Sequence, residues 1–63
     1  MCESLAVKVV DDAEEVLMEN VAKLTPQGDT VVLEGLLGDV LELRGSVERI
    51  DFMAHKIYLK VES

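Results

Sequence analysis

Ala13-Glu14-Glu15-Val16-Leu17-Met18-Glu19-Asn20-Val21-Ala22-Lys23-Leu24-Thr25 reads two ways, and the fold class turns on the choice. As a helix, it places Ala13, Val16, Leu17, Val21 and Leu24 at helical spacing, with Asp12 and Glu15 as an N-terminal capping box. As sheet, residues 16–18 form a short strand, Asn20 sits at a turn, and residues 21–25 form a second strand. Periodicity taken alone leans toward the helix.

The flanking segments read as strands. Upstream, Ser4-Leu5-Ala6-Val7-Lys8-Val9-Val10 is rich in β-branched residues, with Leu5, Val7 and Val9 on one alternate face. An acidic, turn-like break of Asp11, Asp12, Ala13, Glu14 and Glu15 follows. Downstream, Thr25-Pro26-Gln27-Gly28 is a hairpin connection in which Pro26 presets φ and Gly28 accepts the left-handed conformation. Residues 30–36 continue as a strand, and Leu37-Gly38-Asp39 is a second tight reversal. Residues 40–52 read as one long extended stretch with a bend or bulge at Gly45. After a reversal at Met53-Ala54-His55-Lys56, the last strand alternates: Ile57, Leu59 and Val61 inward, Tyr58 and Lys60 outward. Short strands separated by turn chemistry indicate an all-β fold, a small curled antiparallel sheet or barrel of about five to seven strands. We assign residues 1–63 to a single domain.

A chain of 63 residues buries only about 60% of its extended surface, and a core of this size rarely contributes more than roughly 3–5 kcal/mol net. One cysteine excludes an internal disulfide, while 49% of the residues are hydrophobic. A twofold homodimer is the simplest remedy, and an apolar strand face including Leu36 and Leu37 is the candidate interface. With 13 acids against 6 bases, the net charge is −7. The bases Lys8, Lys23, Arg44, Arg49, Lys56 and Lys60 are scattered among acids, which disfavours nucleic acid as a partner. There is no apolar run of membrane-spanning length and no secretory signal pattern. Together with a free thiol, this points to the reducing cytoplasm.

Cys2 carries the chemistry. A thiol there lies beside the α-amine if Met1 is excised, or one residue away if it is kept. A thiolate next to an amine or amide nitrogen chelates a soft or borderline divalent metal. The plain alternative is a small apolar residue opening the first strand.

Four stretches then carry a family resemblance: Met1-Cys2-Glu3, Leu17-Met18-Glu19-Asn20-Val21, Leu36-Leu37-Gly38-Asp39 and Ile50-Asp51-Phe52-Met53-Ala54-His55-Lys56-Ile57. The chain resembles the CooT family of small nickel-binding proteins, some of them labelled as RNA-binding. The resemblance implies a β structure across residues 13–25, so strands are chosen over the helix. It also implies that Cys2 is a nickel ligand, that the protein is a homodimer, and that it acts as a metallochaperone or nickel store for a nickel enzyme such as carbon monoxide dehydrogenase.

Nickel(II) takes square-planar N and S donors. One terminus offers two or three of these, so two Cys2 ends across a dimer axis would supply an S₂N₂ set for one shared ion. The small cysteine side chain permits excision of Met1, which would make the α-amine a donor. His55, the sole histidine, is a candidate further ligand set in a hairpin turn. The acidic run lacks the alternating spacing and glycine of a calcium loop. Met18 and Met53 fall in segments expected to pack. There is no catalytic constellation, such as a Ser-His-Asp set or a phosphate-cradling glycine loop, so the chain reads as a binding protein rather than an enzyme. Two other readings are an RNA-binding small β-barrel, for which Phe52 and Tyr58 are the only stacking aromatics, and a metal-free interaction module.

Overall fold

Residues 13–25 are strand, and they form one strand where a break reaching residue 15 and two short strands about a turn at Asn20 are expected from the sequence. In a computed structural model, which describes residues 4–62, they lie within a continuous 15-residue strand, and the described residues contain no helix. The elements are β1 (Ser4–Val10), β2 (Ala13–Gln27), β3 (Thr30–Gly35), β4 (Val40–Asp51) and β5 (Lys56–Val61). They close into a barrel in chain order, each antiparallel to the next, and a parallel β1–β5 pairing seals the ring.

The helix-like spacing has a cause in β2. Asn20 sits at φ 54°, a left-handed conformation that asparagine tolerates better than most residues. The pairing register shifts on either side of it, between Ala6 and Ser4 on β1 and again between Val21 and Lys23 of β2. Each irregularity adds a residue and reverses which side chains face inward. Met18, Val21 and Leu24 consequently all reach the core at intervals of three, where a flat strand would use two. The same bend divides the labour of β2. Residues up to Met18 pair with β1, Val21 pairs with both Ser4 and Gly35, and the remainder pairs with β3.

The turns follow from strand twist. Val10 pairs with Ala13 around Asp11 and Asp12, both at positive φ, as a two-residue hairpin matched to right-handed twist requires. The second hairpin turn lies two residues later than the sequence suggests. Gln27 pairs with Thr30 around Gly28-Asp29, and Pro26 is within the strand opposite Val31. The Thr30 hydroxyl donates to the Gln27 carbonyl at 2.9 Å and fastens this tip.

Gly45 bends β4 between its pairing with β3 and its pairing with β5. A Cβ there would run into the Lys60 carbonyl oxygen, a backbone atom that cannot step aside. At Gly35 the obstructing atoms belong to the Asp39 side chain, which can rotate away.

The interior is filled by Ala6, Met18, Val21, Val31, Leu33, Ile57 and Leu59. In β5, Ile57 and Leu59 face inward as the alternation predicts. In β1, Leu5, Val7 and Val9 do share a face, but it is the outer one; the inward residue is Ala6, fully buried opposite Ile57. Five strands enclose little room, so the small side chain fits where valine would crowd. Tyr58 faces outward as expected and is nonetheless only 7% exposed. The Arg49 guanidinium lies 3.9 Å over its ring, and Val7 sits beside it in register.

Leu33 has no exposure at all. Leu33→Ala should cost about 2–5 kcal/mol, most of what so small a core supplies, and chemical denaturation should find the variant largely unfolded at 25 °C. Gly45→Ala should destabilise by more than the roughly 1 kcal/mol typical of a point substitution, and by more than Gly35→Ala in the same assay.

Candidate metal centre

The principal site residue, Cys2, lies outside the described residues. What the structure establishes is the setting into which the chain enters at Ser4. There β1 meets the β2 bulge and the β4–β5 turn: Ser4 pairs with Val21, and the Leu5 amide donates to the His55 carbonyl at 2.9 Å. An open groove of about 230 Å³ runs between them, lined by Ser4, Leu5, Glu19, Asn20, Ala54 and His55.

His55 owes its position to the turn. Asp51 Oδ1 accepts hydrogen bonds from the Met53 and Ala54 amides, both at 3.0 Å, which folds residues 52–55 back on themselves. His55 closes the turn at φ 56°, with its side chain exposed. The fold thus brings a histidine and a carboxylate, His55 and Glu19, to the groove where β1 begins. Glu19 was not singled out by sequence; only the turn propensity of its neighbour Asn20 hinted that the segment was special. Among the described residues, no three or more His, Cys, Asp or Glu side chains converge as a metal-holding group.

The acidic run at the β1–β2 hairpin is dispersed by its pairings. Glu15 faces Lys8 at 3.4 Å, while Glu14 accepts from Lys56 Nζ at 2.6 Å and from the Tyr58 hydroxyl at 3.1 Å. The Lys56 and Tyr58 hydrogen bonds hold the Glu14 carboxyl below the ordinary glutamate range, against an opposing push from desolvation. Lys56 is raised in turn, chiefly by its bond to Glu14. This ties β2 to β5 across β1 and covers Tyr58. Met18 is core, 8% exposed, and is not presented to a metal. Met53 departs from the expectation of packing: it is 92% exposed on the β4–β5 turn, because the hydrogen-bonded turn projects it beyond the sheet. Leu36 and Leu37 likewise stand on the β3–β4 turn and not on a strand face.

Of the two aromatics that could stack RNA bases, Phe52 is exposed on the β4–β5 turn. Tyr58 is covered, and Lys8, Lys23 and Lys56 are each engaged by an acid. No helix of the described residues is long and apolar enough to cross a membrane.

Comparison with known proteins decides the family. The model of the CO dehydrogenase accessory protein CooT matches residues 1–60. The chain belongs to the CooT family. A crystal structure of a protein assigned to CooT, from Carboxydothermus hydrogenoformans, superposes with a TM-score of 0.87 at 32% identity, covering 98% of this chain and 100% of that one. An uncharacterised protein of Archaeoglobus fulgidus is 40% identical over 45 residues, 71% of this chain and all of its own length. The CooT assignment brings with it an accessory role toward CO dehydrogenase.

Glu14→Gln tests the electrostatic tie by keeping shape and removing charge. A carboxylate held below its unfolded pKa stabilises the fold above that value, and the benefit is lost as pH falls through the folded pKa. The wild type should therefore melt higher than the variant at pH 7, with the gap closing as pH drops below about 4.5, the ordinary glutamate value. A gap that stays constant from pH 7 to pH 3 would mean that packing, not charge, links these strands.

Proposed function

We propose that this CooT-family chain is a cytoplasmic nickel carrier serving CO dehydrogenase maturation, with Cys2 as the metal ligand. The observation that carries this reading is the family match, which spans the N-terminal Cys2 and describes an accessory protein of CO dehydrogenase. The setting at Ser4 supports it: β1 begins at an open groove with His55 and Glu19 on its walls, so neighbouring donors flank the point of entry. Nickel is cargo here, and the chain acts as a carrier rather than a catalyst.

The donor chemistry fits the cargo. A thiolate sulfur with an adjacent α-amine or amide nitrogen suits a d⁸ ion that prefers square-planar N and S ligands. A single chain end supplies too few donors to close such a site. A homodimer that pools two Cys2 ends completes it and leaves the ion near the surface, where an acceptor can take it. His55, on the wall of the groove at Ser4, is a described side chain able to contribute nitrogen.

Titration of the apoprotein with nickel(II) should generate near-ultraviolet thiolate-to-metal charge-transfer absorbance, saturating at one ion per two chains. Cys2→Ala should abolish that band and weaken binding at least tenfold. Unchanged affinity in the alanine variant would remove Cys2 from the site.

A further inference from the structure

Closure of the ring leaves a stretch of β2 edge open. β3 ends at Gly35, opposite Val21, and the Leu36 amide adds a last bond to β2 by donating to the Asn20 carbonyl at 3.1 Å. From Leu17 back to Ala13, β2 has β1 on one side and, among the described residues, no strand on the other. The chain meanwhile turns away through residues 36–39, held by the Gly35 amide on the Asp39 carbonyl at 2.8 Å. Between this turn and β2 lies a groove of about 400 Å³, walled by Leu17, Leu36, Leu37, Val40 and Leu41, with Glu19 and Asp39 also lining it. Leu37 is 96% exposed, and Leu36 and Val40 are each more than half exposed.

Unpaired strand edges accept further strands, with main-chain hydrogen bonds supplying affinity and side-chain pockets supplying choice. We infer that β2 takes a strand from a different protein: an extended, basic segment adds to the open edge, sets an aliphatic side chain into the Leu36-Leu37 groove and lays lysine or arginine beside Glu19 and Asp39. Charge selects this occupant. Glu14 and Glu15, on the open stretch, are already answered by Lys56 and Lys8. Glu19 and Asp39, beside the groove, take part in no ion pair among the described residues. A segment in which cationic residues flank an aliphatic one supplies partners for the two acids and a cover for the exposed leucines. A second copy does neither. Its net charge is −7, and pairing β2 edge to edge would set the acids of one strand against those of the other. A nucleic acid, itself polyanionic, meets the same repulsion. This surface needs no metal and stands apart from the nickel reading.

NMR titration of the isotope-labelled, metal-free protein tests it, with the capped peptide Lys-Val-Leu-Val-Lys as the probe at up to millimolar concentration. Amide resonances of residues 13–17 and 36–41 should shift together and saturate. The acidic counterpart Glu-Val-Leu-Val-Glu keeps the apolar residues and should bind at least tenfold more weakly. A basic peptide with every backbone amide N-methylated keeps the side chains, loses the main-chain donors, and should be weakened as much. Asp39→Asn and Leu37→Ser, both at exposed turn positions, should each reduce affinity for the basic peptide at least threefold while leaving the rest of the spectrum folded. Absence of saturable shifts, shifts confined to other strands, or equal binding of the basic and acidic peptides would overturn the proposal. So would undiminished binding of the N-methylated peptide, which would leave a groove without strand addition. If the same resonances move on raising protein concentration alone, the occupant is another copy of this chain and the proposal fails.

Discussion

Pairing of β1 with β5 is the contact on which the rest of this molecule depends. Without it the five strands are an open ribbon with two free edges and an inner face exposed to water. With it, Leu5 to Lys8 align with Lys56 to Leu59, and a handful of side chains suffices to fill the enclosed space. Closure also explains why Ala6 is the residue that points inward on β1. Larger side chains are turned outward, where Val7 and Tyr58 make a small second layer capped by Arg49, Glu14 and Lys56. The seam is thus packed on both sides, apolar within and charge-assisted without.

Two bends let so short a chain close. Asn20 in β2 and Gly45 in β4 each allow one strand to serve two neighbours. At both places the backbone leaves ordinary extended geometry. The bend in β2 positions more than the fold. It sets Glu19 and Asn20 beside the beginning of β1 and opposite His55, so the corner that closes the barrel also shapes the groove at Ser4.

Much of this was legible in the sequence. Strand composition, turn residues and the glycine interrupting β4 gave an all-β barrel with near-correct boundaries, because each is a local property. Residues 13–25 misled for a physical reason: a bulge changes the inward spacing from two to three and imitates a helix. The resemblance, not the periodicity, chose strand over helix there, but as two strands about a turn at Asn20, where the structure has one continuous strand, Ala13–Gln27. Side-chain facing in β1 and the shielding of Tyr58 were not legible, since both depend on partners from distant strands. The same holds for Met53, whose exposure follows from an Asp51 turn that any reading of hydrophobicity overlooks. Cys2 was read as a ligand from its position and chemistry and lies outside the described residues, while the groove beside Ser4 emerged only on folding.

Joining the earliest strand to the latest has a consequence for synthesis. As the chain leaves the ribosome, β1 emerges first, yet its parallel mate is the final strand of the barrel. Until β5 has cleared the exit tunnel, β1 presents an unpaired edge and its apolar outer stripe to everything nearby. Closing so long a loop comes late and slowly compared with forming local hairpins. The nascent polypeptide therefore passes through a sticky, half-zipped stage, with its β1–β2, β2–β3 and β3–β4 hairpins able to assemble while the ring still gapes.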